Sequence, residues 1–239
     1  MTKIYHVSQQ WHRWLQKPLG ARVLDAEKEA VARACENNCW KNVLLIGVPA
    51  QSVLLSPDLK NAVLMAPWGR QGVQTASRIN WIESDFSLPL PLLSGSIDAV
   101  IMPHTLEWLD DPKGFFSAVC ALLKPEGEII ILGFNPFSAW GFKRRKLKSN
   151  TLISLSMLQR WIKEADFDLV EKELLLFSPP FMKKNRALEW MGRYVSGLLG
   201  GAYCVRAKAK VIPATLIPLS WRQESSLLSR VPSMSRVNE

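Results

Sequence analysis

The sequence predicts a doubly wound α/β fold built on a mostly parallel sheet. Short apolar runs closed by glycine or proline are typical of strands that are buried on both faces. These runs alternate with segments whose apolar residues recur at helical spacing. A helix stop and a turn at residues 124–127 lead directly into another apolar run. This order predicts a βαβ unit with both strands in one parallel sheet.

Five strand candidates lie in the first part of the chain, and two more follow. The first, residues 43–46, ends at Gly47, and the fourth, residues 97–102, ends at Pro103. The complete set is residues 43–46, 62–65, 80–83, 97–102, 128–132, 169–177 and 202–211. We expect the last two to form an edge of the sheet.

Four segments carry apolar residues at helical spacing, namely residues 21–37, 115–123, 156–165 and 187–199. With 239 residues, 48% of them apolar, the chain is long enough for one sizeable core. We predict an N-terminal helical cap over residues 1–40, an α/β domain over residues 41–211, and a basic tail of low order over residues 212–239. The tail is rich in serine, contains three prolines and shows no periodicity.

Cysteine usage gives no sign of a metal site or a disulfide framework. The only close pair, Cys35 and Cys39, has neither a second ligand pair nor a nearby histidine. No apolar run approaches the roughly 20 residues that a bilayer requires, and residues 1–10 lack the apolar segment of a signal peptide. The sequence therefore predicts a soluble, cytoplasmic protein.

Basic residues outnumber acidic ones by 30 to 21, and five of the six residues from Lys143 to Lys148 are basic. A cluster of this kind attracts phosphates, so one interpretation is contact with an anionic membrane surface. A solvated loop is the commoner meaning of such a run. Nucleic acid is not favoured as a partner, and the pattern does not predict an oligomeric state.

A series of motifs follows the predicted third, fourth and fifth strands. They are Ser84-Asp85, Leu88-Pro89, residues 96–100, residues 104–108, Asp111-Pro112 and residues 123–127. In this order they resemble the type 11 methyltransferase-domain family. Residues 133–136 with Ser138, Trp140 and Gly141, and the opening Trp11, Trp14-Leu15, residues 18–20 and Glu27, resemble a subgroup of small bacterial proteins with this domain. The resemblance covers roughly residues 10–211.

The resemblance implies a class I, Rossmann-like methyltransferase with seven strands, one of them antiparallel. It also implies S-adenosylmethionine as the cofactor, held at the carboxyl ends of strands one to four, where open α/β sheets bind their ligands. The residues that match the cofactor-binding positions are Gly47, Val48, Ala66, Asp85, Phe86 and Met102. Asp85 is expected to accept from the adenine amino group, and Phe86 to offer its backbone amide. A solvated acid, or the cap of a short turn, is the alternative for Asp85.

The sequence departs from the family at two positions of the expected cofactor site. Pro49 stands where a second glycine is expected, and it lacks a backbone donor. Ala66 stands where the family has an acid that binds the ribose hydroxyls. Hydrogen bonds to a charged group contribute about 1.5 to 3 kcal/mol each, so these losses weaken binding from about tenfold to several thousandfold.

His104 follows strand four, at the edge of the site nearest the transferred methyl group, and is the candidate catalytic residue. An imidazole there could take a proton from the acceptor. A loop histidine bonded to the backbone is the alternative. The predicted function is S-adenosylmethionine-dependent methyl transfer to a small-molecule or lipid-like acceptor. The alternative is a catalytically inactive binding or scaffolding module that has lost its cofactor site.

Overall fold

A seven-stranded sheet forms the centre of the molecule. The computed structural model describes residues 3–36, 38–68, 79–145, 151–181 and 200–210. The strands are β1 Asn42–Ile46, β2 Asn61–Ala66, β3 Ile79–Glu83, β4 Ile97–Pro103, β5 Leu123–Phe134, β6 Phe167–Leu175 and β7 Ala202–Ala209. Their order is β3-β2-β1-β4-β5-β7-β6, with β1 to β5 parallel and β7 antiparallel to both of its neighbours. The predicted mostly parallel, seven-stranded α/β sheet is therefore confirmed.

The strand order reverses between β1 and β4, which lie side by side in the middle of the sheet. Leu45 pairs with Ile101 of β4 on one side and with Leu64 of β2 on the other. The chain runs from β1 outward through β2 and β3 and then returns to β4. A crevice at the carboxyl ends of β1 and β4 follows from this reversal, and it is the usual ligand position of a doubly wound sheet.

Within the described ranges, five α-helices and two short 3₁₀ helices flank the sheet. They are α1 Lys3–Leu15, α2 Pro18–Cys35, α3 Pro112–Cys120, α4 Ala139–Arg145 and α5 Leu155–Glu164, with 3₁₀ helices at Pro49–Leu54 and Thr105–Trp108. Asp111 caps α3 by accepting a hydrogen bond from the Gly114 amide at 2.9 Å, and Pro112 occupies its first turn. Ser154 caps α5 in the same way. Helix α1 lies outside the helices predicted from periodicity.

The turn predicted at residues 124–127 is part of a longer strand. The structure extends β5 back to Leu123, which pairs with Ile97, whereas Ala99 pairs with Glu128. The extra residues on β5 form an irregularity, and Glu126 there has a left-handed φ of 64°. The predicted helix 115–123 accordingly ends earlier, at Cys120.

Helices α1 and α2 form a tight pair over the carboxyl ends of the central strands. A side chain at Gly20 would place its Cβ 2.2 Å from the Trp14 carbonyl oxygen, so only glycine permits this crossing. Helix α1 buries Ile4, Ser8, Trp11 and Leu15 on one face. That face contacts both 3₁₀ helices, which begin just beyond β1 and β4. Helix α1 therefore covers the crevice at the ends of β1 and β4.

No helix among the described residues is long and apolar enough to cross a membrane. The predicted helix 187–199, the basic residues 146–148 and the tail from residue 212 lie outside the described residues.

Candidate cofactor and acceptor site

The turn after β1 is closed by the side chain of Gln51, which is fully buried. Its Oε1 accepts a hydrogen bond from the Val48 amide at 2.9 Å, and its Nε2 donates to the Pro103 carbonyl at 3.0 Å. A Cβ at Gly47 would lie 2.5 Å from the same Oε1. The Gln51 amide therefore fills the space above Gly47 and ties the first turn to the end of β4.

Pro49 begins the 3₁₀ helix that follows this turn, and α1 contacts its first residues. The Ala50 amide donates to Nδ1 of His12 at 3.2 Å. Burial lowers the pKa of His12, so its ring stays a neutral acceptor at neutral pH. The Ala50 amide, in the first turn of this short helix, is therefore already bonded to a side chain of α1.

The end of β2 carries no acid. Ala66 is fully buried, and Trp68 packs edge-on against Tyr5 at 6.3 Å and against His12 at 5.8 Å between ring centroids. Ala66 pairs in register with Glu83, the last residue of β3, which is exposed. A carboxylate is therefore available one strand away from the position where the family has its acid.

The end of β3 is the most open part of the crevice. Asp85 is half-buried, and its Oδ1 accepts from the Ser87 amide at 3.0 Å, which makes a local turn. Phe86 is buried, with its ring centroid 5.3 Å from that of Phe115. A cavity of about 550 Å³ opens beside Phe86, between the 86–90 loop, the start of α3 and Ile4 of α1.

His104 lies inside a fully buried cluster with two glutamates. Its Nε2 is 2.5 Å from Glu27 Oε1 on α2, and its Nδ1 is 3.0 Å from Glu107 Oε1. The same Glu107 oxygen accepts from the Phe134 amide at 2.7 Å. Among the described residues, the second oxygens of Glu27 and Glu107 have no hydrogen-bond partner. The cluster joins α2, the loop after β4 and the end of β5.

The two glutamates determine the protonation of this histidine. Burial alone would lower the pKa of His104, but the charges of Glu107 and Glu27 outweigh it and raise that pKa to about 9. The ring is therefore an imidazolium at neutral pH, and both of its N–H groups donate to carboxylates. The His104 backbone is left-handed, with φ of 57°, so the ion cluster also holds a strained turn in place.

Aromatic rings close the space above the cluster. The Trp11 ring centroid lies 5.0 Å from that of His104, and the Phe134 centroid lies 4.3 Å from it. Trp140 stacks on Phe134 at 6.2 Å. The side where an acceptor is expected is therefore filled by side chains of α1, β5 and α4.

The structure brings the predicted residues to one edge of the sheet but into different surroundings. Gly47, Val48, Ala66 and Met102 are buried at or near the ends of β1, β2 and β4, and Asp85 and Phe86 follow β3. Their ligand roles, and the catalytic role of His104, stay predictions. In this conformation both His104 nitrogens are engaged, so action as a base requires the cluster to open.

Sequence reasoning missed the contacts of Gln51, Glu27 and Trp11. Glu27 had a usable signal, because it falls on the apolar face of α2 together with Val23, Val31 and Ala34, all buried. A charged residue in such a stripe is buried only when it is paired. Gln51 carries no comparable signal, since its two partners depend on the fold.

Residues 49–131 match the family model described as a methyltransferase domain. Those residues run from Pro49, within the turn after β1, to the middle of β5, and so include the segments that follow β2, β3 and β4.

Two curated relatives share about a quarter of their aligned residues with this chain. Protein YafS of Escherichia coli is 24% identical over 145 residues, covering 55% of this chain and 56% of that protein. The malonyl-[acyl-carrier protein] O-methyltransferase of Prosthecochloris aestuarii is 26% identical over 137 residues, covering 53% and 48%. The chain spans about half the length of the curated relatives that it matches.

Solved structures share the fold over most of their length. An S-adenosylmethionine-dependent methyltransferase from Thermotoga maritima aligns with a TM-score of 0.62 at 20% identity, covering 84% of this chain and 95% of that one. The N-methyltransferase NodS of Bradyrhizobium japonicum, solved with S-adenosylhomocysteine, aligns with a TM-score of 0.57 at 15% identity, covering 84% and 97%. The chain therefore shares the fold of these methyltransferases, and its residues 49–131 match a methyltransferase-domain family model.

Proposed function

We propose that this protein is an S-adenosylmethionine-dependent methyltransferase that acts on a small or lipid-like acceptor. The observation that carries the proposal is the coincidence of the family match with the crevice. The matched residues 49–131 begin within the turn after β1 and include the segments that follow β2, β3 and β4, at the edge of the sheet where the strand order reverses. Ligand binding at this edge is the general property of such sheets.

The adenine side of the crevice fits the cofactor. Asp85 keeps a carboxylate that is half-exposed and engages one oxygen in a local turn, so the other oxygen can accept from an exocyclic amino group. Phe86 adds a buried apolar ring beside it. S-adenosylmethionine supplies an electrophilic methyl group on its sulfonium. The residues of this chain must then hold the adenosyl group, orient the acceptor and exclude water.

The methionine and ribose side fits less well. Gln51 occupies the space above Gly47, and the end of β2 offers Ala66 in place of an acid. We propose that the Gln51 amide turns away when the cofactor enters, and that Glu83 supplies the missing carboxylate from the neighbouring strand. Both steps lower the expected affinity, because bonds already made within the protein must be exchanged for bonds to the ligand.

The state of His104 narrows the class of acceptor. An imidazolium whose two N–H groups donate to Glu27 and Glu107 has no lone pair to accept a proton. An acceptor that is already deprotonated at neutral pH needs no base, and a carboxylate is the simplest example. The relative from Prosthecochloris aestuarii is named as an O-methyltransferase of malonyl-[acyl-carrier protein], which is consistent with an acceptor oxygen. We therefore propose a carboxylate on a small or acyl-chain molecule as the acceptor, with His104 orienting the loop after β4.

A methyl-transfer assay tests the acceptor class. The purified chain is incubated with S-adenosylmethionine and with a panel of acyl carboxylates, phenols and amines. We expect transfer to a carboxylate, at a rate that does not change between about pH 6 and pH 8, where no base titrates. Transfer only to phenols or amines, at a rate that rises with pH, would contradict the carboxylate proposal.

A second candidate is an inactive binding module, and the Gln51 amide is the observation that favours it. This side chain satisfies the polar groups of the turn that would otherwise face a ligand. Calorimetric titration with S-adenosylmethionine and S-adenosylhomocysteine separates the two candidates. Saturable binding supports the enzyme, whereas a folded protein that takes up neither ligand at millimolar concentration is the module.

A further inference from the structure

Three strands end or begin together on the edge of the sheet that carries the crevice. Phe134, at the end of β5, pairs with Ala202, at the start of β7, and Leu175, at the end of β6, pairs with Ala202 from the other side. Because β1, β4 and β5 are parallel, this is the same edge of the sheet as the crevice. The segments that leave these strand ends therefore border the candidate site.

Three phenylalanines project into solvent from these segments. Phe137 follows β5, Phe142 lies on α4, and Phe181 lies after β6, with 73%, 63% and 79% of their surfaces exposed. We call these residues the aromatic corner. Exposed phenylalanine is costly in water, and several on one part of a surface mark an interaction site.

The scaffold beneath the aromatic corner is rigid. Asn135 Oδ1 accepts from the Phe137 amide at 3.1 Å, and its Nδ2 donates to the Gly200 carbonyl at 3.0 Å. Trp140 is buried, and its Nε1 donates to the Ser178 carbonyl at 3.0 Å, which links α4 to the segment that carries Phe181. The phenylalanines are thus presented from a packed base, as an interaction surface requires.

The charge of these segments is of one sign. From residue 129 to residue 163 the sequence contains seven lysines or arginines and no aspartate or glutamate. Helix α4 carries Phe142 and ends with Lys143, Arg144 and Arg145. Residues 174–188 likewise contain three basic residues and no acid. A partner that is both apolar and anionic complements this combination.

We propose that the aromatic corner, with the basic end of α4, docks the protein on the surface of a bilayer that contains anionic phospholipid. Phenylalanine side chains can enter the interface of a membrane without fixed geometry, while lysine and arginine attract the headgroups. A single-stranded nucleic acid would instead require aromatic rings along a basic groove that follows its backbone. The three phenylalanines are exposed on three separate segments of the chain, which favours the membrane. Docking in this way directs the edge of the sheet that carries the crevice toward the lipid. The docking proposal does not depend on methyl transfer.

Vesicle flotation tests the proposal with the full chain and no cofactor. We expect the protein to float with vesicles of phosphatidylcholine mixed with phosphatidylglycerol, but not with phosphatidylcholine alone. The triple substitution Phe137→Ser, Phe142→Ser and Phe181→Ser should lower the partition coefficient by at least ~10-fold, since each ring loses its apolar burial. Raising the salt concentration should weaken binding as the headgroup attraction is screened.

Control variants distinguish the contribution of the aromatic corner from general effects of lost apolar surface or lost charge. Leu93 is 78% exposed and Leu88 is 64% exposed in the loop between β3 and β4, so Leu88→Ser with Leu93→Ser changes exposed apolar residues away from the corner. The contribution of charge is tested with a triple variant of α4, namely Lys143→Gln, Arg144→Gln and Arg145→Gln. Its control removes three exposed lysines elsewhere and changes the net charge equally, namely Lys17→Gln, Lys28→Gln and Lys60→Gln. Only the corner and α4 sets should reduce flotation.

Several results would overturn the proposal. These are the absence of flotation with anionic vesicles, flotation that the corner variants leave unchanged, and equal losses in the control sets. Binding to single-stranded RNA that depends on the same residues, without vesicle binding, would assign the surface to nucleic acid instead. Because no cofactor is present in these experiments, their failure leaves the calorimetric test of the proposed function unaffected.

Discussion

The two halves of the crevice differ in how their polar groups are satisfied. At the end of β3, Asp85 is half-exposed and a cavity of about 550 Å³ opens beside Phe86. At the ends of β1 and β4, Gln51 and His104 are fully enclosed and bonded to groups of the protein. The open half leaves a carboxylate and a cavity accessible, whereas the polar groups of the closed half are already bonded within the protein. The difference teaches that one sheet order can carry strand ends whose polar groups are satisfied in opposite ways.

The closed half should be the more sensitive of the two to substitution, and Glu27→Ala should show the largest effect. Removing Glu27 leaves Nε2 of the buried His104 without an acceptor and opens a cavity beside it, while Glu107 still pairs with the ring. The two losses together are expected to lower the free energy of unfolding by about 3–5 kcal/mol. Glu29→Ala, exposed on the same helix, should change it by less than about 0.5 kcal/mol. Urea unfolding measures both. Similar small effects for the two variants would show that the cluster contributes little to stability.

The pH dependence of stability is the next largest effect. The folded pKa of His104 is about 9, above its usual 6.5, because the charges of Glu107 and Glu27 outweigh the effect of burial. The resulting stabilisation is fully present below about pH 6.5 and is lost as the pH rises through about 9, by as much as about 3 kcal/mol. His104→Gln should flatten the dependence over this window. An unchanged slope in that variant would assign the titration to another group.

Gln51→Ala should destabilise the closed half by a smaller amount. The substitution leaves the Val48 amide and the Pro103 carbonyl without their partner, at an expected cost of about 2–3 kcal/mol. The control is Gln10→Ala, at an exposed position on α1. Thermal unfolding of the two variants compares them directly. If Gln51→Ala unfolds at the wild-type temperature, the amide does not hold the turn closed.

In the open half, substitution should affect ligand binding rather than folding. Asp85→Asn removes a charged acceptor and should weaken S-adenosylhomocysteine binding by about tenfold to a hundredfold, with stability unchanged within about 0.5 kcal/mol. Asp58→Asn, at an exposed acid elsewhere, should leave binding unchanged. Calorimetric titration gives both constants. Equal affinities for wild type and Asp85→Asn would remove Asp85 from the site.

Much of the fold could be predicted from the sequence, because parallel strands buried on both faces leave continuous apolar runs. Residues 43–46 and 97–102 fall within β1 and β4 almost residue for residue. Helix α1 lies within the helical cap predicted for residues 1–40, but its bounds and its packing were not predicted, since they depend on α2 and both 3₁₀ helices. The extension of β5 through a predicted turn also depends on its partner strand.

In the candidate site, the sequence predicted only those positions that depend on where a single strand ends. The sequence is sufficient to position Asp85 after β3, since a single strand and its loop define that place. The partners of His104 were not predictable in this way, because Glu27 lies 77 residues earlier and only the packing of α2 brings it within 2.5 Å. Local motifs predict which loops lie at the same edge of the sheet. They do not predict which side chains fill the space between those loops.

Calorimetric titration of the wild-type protein with S-adenosylhomocysteine tests the central claim most directly. We predict saturable binding at one site, weaker than is usual for an intact cofactor site because Gln51 must yield and Ala66 offers no acceptor. Asp85→Asn should reduce it further. A folded protein that shows no binding heat at millimolar ligand would contradict the assignment of this crevice to S-adenosylmethionine.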